Sequence, residues 1–244
     1  MGSTGMLLGM MLSVVLGAAT QRITGLGFAL VSAPLLVLVS DPITGVLLSN
    51  LLALITNLVV LTETWRQVDL RRVVTLAIPA TCCVPVGTLV ARHLPQPVLL
   101  MGIGALVLGA LAALRLLART GLFSGIAGTI AAGALSGFMN ATAGVGGPAA
   151  ALYAIASRWP HRSFVSSMQF YFVVINAVSV SVKGLPHVGT TVFATAFAAL
   201  GCGVALGHFA ARRVSPEHAR IAVLVLATAG ALGTILKGLV LALI

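Results

Sequence analysis

The chain has 244 residues, 59% of them hydrophobic and 7% charged, with 14 Lys and Arg against 4 Asp and Glu and a mean hydropathy of +1.13. Soluble domains carry about 25% charged residues, and a nucleic-acid binder with a net charge of +10 would need a polar, solvated body. A soluble enzyme, a disulfide scaffold, a disordered chain and a nucleic-acid partner are excluded, which leaves an all-α polytopic membrane protein embedded in the lipid bilayer.

Ten apolar segments follow one another, at 5–20, 26–40, 43–62, 73–91, 97–118, 121–138, 146–157, 164–182, 189–211 and 219–243. A helix needs about 20 residues to cross a hydrocarbon core of about 30 Å. The third, fourth, fifth, eighth, ninth and tenth segments are long enough. The second and seventh are too short, and the first and sixth are borderline. The expected layout is six full spans plus two pairs of shorter, re-entrant or broken pieces. The first segment lacks a basic leader and an Ala-x-Ala cleavage site, so it reads as a membrane segment and not as a removable signal. Cys82, Cys83 and Cys202 lie in apolar stretches without Cys-x-x-Cys spacing and read as small packing residues.

Each short pair meets at a glycine-containing break, Gln21 to Phe28 in the first half and Asn140 to Pro148 in the second. An offset of 119 residues pairs Gln21 with Asn140, Gly25 with Gly144, Gly27 with Gly146, Asn50 with Gln169 and Asn57 with Asn176. Polar residues are rare in such a chain, so their alignment carries more weight than any apolar match. The expectation is an internal repeat, with residues 1–119 and 120–244 as its copies.

The charges flip between the copies. Arg66, Arg71 and Arg72 follow the third segment, where the second copy has Lys183 alone. Arg92 follows the fourth, where the second copy has Arg212, Arg213 and Arg220. Asp41 precedes the third, where the second copy has Arg158 and Arg162. Because cytoplasmic loops collect Lys and Arg, the two halves should insert in opposite senses. Arg115 and Arg119 then fall in the cytoplasm and both termini on the far side.

Two backbone breaks at matching positions of inverted halves point to a central binding site. Gly25, Leu26, Gly27 and Phe28, and likewise Gly144, Val145, Gly146 and Gly147, would offer free helix-start N–H groups to an anion, and Pro148, which has no N–H, suits the first turn of the helix that follows. Asn50, Asn57, Gln169 and Asn176 add neutral donors, each pair seven residues apart on one helix face. Gln21 and Asn140 stand beside the breaks. Arg22 is either an intramembrane cation of the site or an interfacial anchor. The plainer alternatives are close helix packing at the glycines and interhelical bonding by the carboxamides. Lys237 is expected to snorkel to the far surface. None of Asp41, Glu63, Asp69 and Glu217 falls in the middle of a span, which disfavours proton relays and metal cations and favours an anion. No catalytic constellation is visible, so neither an enzyme nor a cofactor is expected.

The stretch Gly25-Leu26-Gly27-Phe28-Ala29 with Ala33-Pro34-Leu35, its echo Gly144-Val145-Gly146-Gly147-Pro148 and the length together resemble the sulfite exporter TauE/SafE family, transporters of the toluene sulfonate uptake permease type. The resemblance implies a carrier in the bacterial inner membrane, without cofactor, for a small anionic substrate such as sulfite or an organosulfonate like sulfoacetate. Export is the implied direction, alternating access the implied mechanism, and a homodimer an open partner. A channel-like facilitator and a non-transporting scaffold subunit remain as alternatives. Pro148 has no proline mate at Ala29, so the two half-sites are expected to be unequal.

Overall fold

The computed structural model describes residues 3–117, 120, 123–211 and 213–243; Arg119 and Arg212, two of the charges used above, lie outside them. Among these residues the secondary structure is helical throughout. The helices are α1 Ser3–Thr24, α2 Phe28–Val39, α3 Pro42–Thr64, α4 Leu70–His93, α5 Gln96–Leu116, α6 Gly125–Ala143, α7 Gly147–Ala156, α8 His161–Lys183, α9 Thr190–Ala210 and α10 Pro216–Leu243. Seven are long and apolar enough to cross a membrane: α1, α3, α4, α5, α8, α9 and α10. The chain is a multi-pass membrane protein.

The short elements are α2, with 12 residues, and α7, with 10. At 1.5 Å per residue they reach about 18 Å and about 15 Å, too little to span the core. Helix α1 runs past the expected boundary at residue 20 because its polar residues are satisfied within the protein. The hydroxyls of Thr20 and Thr24 donate to Leu16 O and Thr20 O, each at 2.8 Å. In the same way Thr142 Oγ1 donates to Phe138 O at 2.8 Å, and α6 continues to Ala143. Hydropathy alone ends these helices too early.

The four acids have local roles. Asp41 and Asp69 cap α3 and α4, accepting from Thr44 N at 2.9 Å and Arg72 N at 3.1 Å. Glu63 pairs with Arg22, and Glu217 lies in the first turn of α10, where a negative charge suits the helix dipole.

Helices α3 and α8 pack against each other, α1 packs against α2 and α9, α6 against α4 and α7, and α5 against α10. At the α4–α6 contact Gly137 sits on the backbone of Ala80, leaving no room for a Cβ. Gly137→Ala is therefore expected to force these helices apart and destabilise the protein by about 1–3 kcal/mol, read as a lower unfolding temperature in detergent. The outer surface carries Leu8, Leu12, Ile78, Ile126 and Phe209, all more than half exposed, as lipid contact demands. Cys82 and Cys202 also face outward, contrary to their expected packing role. Lipid tails are as apolar as a neighbouring helix, so a small thiol gains nothing by burial there.

Basic residues mark the two ends of the bundle. At one end Arg22 meets Glu63 at 2.8 Å beside Gly207 of α9, and the Arg72 guanidinium lies 5.1 Å from the centre of the Trp159 ring, between Arg158 and Arg162 in sequence. At the other, Arg92 donates to Lys183 O at 3.2 Å. There Lys237 Nζ donates to Val37, Leu38 and Ser40 carbonyls at 3.1, 2.9 and 2.6 Å. Lys237 does not simply snorkel, since the open carbonyls at the end of α2 are nearer partners than bulk water.

Candidate functional site

Both long helices that precede the breaks end at a left-handed glycine, Gly25 with φ 80° and Gly144 with φ 72°. Gly144 N–H returns to Asn140 O at 3.1 Å, the 5→1 bond of an αL cap, and Val145 N–H reaches Met139 O at 3.4 Å, which closes α6. The chain then reaches Gly27 (φ −112°, ψ −17°) or Gly146 (φ −96°, ψ −14°) and restarts as α2 or α7. The two restarts, Phe28 and Gly147, are again 119 residues apart.

The short helices leave this region toward opposite ends of the bundle. The C-terminus of α2 is held by Lys237, while Tyr153 and Ser157, at the end of α7, stand with Arg71 and Arg72. Between the two restarts lies a cavity of about 130 Å³. Gln21, Asn57, Asn140 and Asn176 line it, together with Phe28, Phe172 and other apolar groups.

Gln21 sets the first half of this site. Its Oε1 accepts from Gly27 N–H at 2.9 Å and Phe28 N–H at 3.0 Å, and its Nε2 donates to Asn57 Oδ1 at 3.0 Å and Gln169 Oε1 at 3.1 Å. A backbone N–H can only donate, so the Gln21 amide has one permitted orientation. That orientation fixes Asn57 as an acceptor through Oδ1. Gln169 agrees independently, because its Nε2 donates to the carbonyls of Gly25 at 2.8 Å and Val165 at 3.1 Å. Asn57, 4% exposed, thus keeps its Nδ2 without a partner among the described residues.

The expected free donors at the first break are therefore occupied: Gly27 and Phe28 by a side chain six and seven residues earlier that folds back over them, Gly25 by Gln21 O and Leu26 by Thr24 Oγ1.

The second half repeats the layout with shorter side chains. Asn140 Nδ2 donates to Asn176 Oδ1 and to Ser179 Oγ, each at 3.1 Å. Asn176, 2% exposed, keeps its Nδ2 unpartnered among the described residues. Asn50, the counterpart of Gln169, reaches only Asn140 O, at 3.3 Å, and its buried Oδ1 has no partner.

Of the residues singled out from the sequence, Gln21, Leu26, Phe28, Asn57, Asn140, Val145, Gly147, Pro148 and Asn176 line the cavity. Gly25, Gly27, Gly144 and Gly146 shape its turns, and Asn50 and Gln169 brace it from behind. Arg22 stands outside the lining, paired with Glu63.

Close packing operates at the glycines as well. A Cβ at Gly27 would lie 3.0 Å from the Thr20 Cβ, and one at Gly146 2.8 Å from Ser136 O. Ser136, whose Oγ donates to Gly146 O at 2.8 Å, and Ser179 are parts of the site that sequence reasoning missed. Each stands on the face of a carboxamide, four residues before Asn140 and three after Asn176. Their repeat mates, Gly17 and Val60, are not polar, so a search for matched polar pairs passes over both.

A helical membrane protein with a donor-lined cavity between two helix breaks has the build of a solute carrier. A profile of the family described as Sulfite exporter TauE/SafE matches residues 8–234, and the chain belongs to that family. Membership implies a membrane transporter of sulfite-type anions. No curated protein and no solved structure matches the chain.

Proposed function

We propose that the protein exports small sulfur-containing anions, sulfite or organosulfonates such as sulfoacetate, by alternating access of two inverted repeats about the central cavity. The observation that carries this reading is the pair of buried carboxamides, Asn57 and Asn176, with unpartnered N–H₂ groups on one cavity where two short helices begin. Neutral donors stabilise an oxyanion without burying a permanent cation, and helix starts add their dipoles.

Repeats at 1–119 and 120–244 are supported by the matched break dihedrals and by the matched bonds Gln21 to Asn57 and Asn140 to Asn176. An inner-membrane orientation with periplasmic termini is supported by the charges. Helix α1 ends and α10 begins at the end rich in arginine, which the positive-inside rule assigns to the cytoplasm.

Radiolabelled sulfite, sulfoacetate and sulfate, followed in vesicles reconstituted with the purified protein, test the reading. Saturable flux of at least one sulfur anion is expected. Flux that stays linear with concentration would indicate a channel, and no flux of any anion through folded protein would end the proposal.

A further inference from the structure

The two breaks are alike in backbone and unlike in how their helix starts are satisfied. At the first, both N–H groups at the restart are taken by Gln21 Oε1. At the second, no acceptor meets the N–H of Gly146 or of Gly147 among the described residues. The cause is one methylene. Asn140 occupies the position of Gln21, but its amide binds Asn176 and Ser179, and its Oδ1 receives no N–H from the break. Asn50 is likewise one methylene shorter than Gln169 and leaves its own oxygen unpaired.

Unpaired N–H groups buried in a membrane protein are costly, and water or a ligand must meet them. Here a second donor stands beside Gly147, because Asn176, 2% exposed and with its Nδ2 unpartnered among the described residues, lines the same cavity. Space is available as well: a Cβ placed on Gly147 would meet only the Phe172 ring, at 3.8 Å.

We infer that the charged head of the substrate binds at the second break, on the N–H groups of Gly146 and Gly147 and on Asn176 Nδ2, while the first break is an internally capped and substrate-independent copy of it. The inference rests on the transporter reading above and adds which half holds the anion and which residue leaves it open.

Asn140→Gln tests it. The added methylene lets the new carbonyl oxygen cap Gly146 and Gly147 as Gln21 caps Gly27 and Phe28. Binding of sulfite and methanesulfonate to the purified protein, by calorimetry, is expected to weaken at least roughly tenfold. The unfolding temperature without ligand should hold or rise. Undiminished binding in Asn140→Gln beside a wild type that binds would overturn this inference alone. A fall in unfolding temperature would also overturn it, since capping should stabilise. A wild type that binds neither anion would remove the transporter reading and this inference together.

Discussion

Gln21→Leu is expected to be strongly destabilising. The leucine fits a site that is 3% exposed, but it withdraws one acceptor from two backbone N–H groups and two donors from Asn57 and Gln169. Each stranded buried donor costs about 1–3 kcal/mol. The two N–H groups at Gly27 and Phe28 cannot turn elsewhere, because the left-handed turn at Gly25 holds them in place. The total should be on the order of 5 kcal/mol, a large part of the margin by which most proteins stay folded. Asn140→Leu should cost far less. It strands no backbone N–H, and the Ser179 hydroxyl and the Asn176 amide can rotate to other partners. Thermal unfolding of both variants in the same detergent checks the difference. Equal shifts would mean that the Gln21 oxygen is no better anchored than the Asn140 amide.

Much of this architecture was legible in the chain because the signals were local. The helix pairs interrupted at Gly25 and Gly144 follow from hydropathy and glycine placement. The offset that aligned Gln21 with Asn140 also aligns Phe28 with Gly147, where the helices restart. The hidden parts depend on side chains reaching across the fold. Nothing near Lys237 in sequence indicates that it caps α2, whose Val37 lies 200 residues away. The folding back of Gln21 over Gly27 depends on the left-handed turn between them, and the sequence alone presented those N–H groups as free. One methylene distinguishes Gln from Asn at the matched positions; as residue types the two look equivalent, and only their reach separates a capped break from an open one.

Asn176→Asp is expected to remove transport. The substitution is nearly isosteric, and Oδ1 can still accept from Asn140. The other terminal atom, now an oxygen, replaces the only donor that Asn176 offers to the cavity. A lost hydrogen bond to a charged group is worth about 1.5–3 kcal/mol. A like charge about 4 Å from the anion adds about 4 kcal/mol of repulsion at an effective dielectric constant of about 20. Sulfite affinity should therefore fall by at least roughly 100-fold, seen as a raised KM or as lost flux in vesicles that hold normal amounts of folded protein. Asn57→Asp, which likewise keeps its oxygen for Gln21, should weaken transport in the same direction but less, because its half of the site has no open N–H groups beside it. A wild-type KM in both variants would take the carboxamides out of the binding site. A deeper loss at Asn57 than at Asn176 would place the anion at the first break, against the unequal capping of the two helix starts.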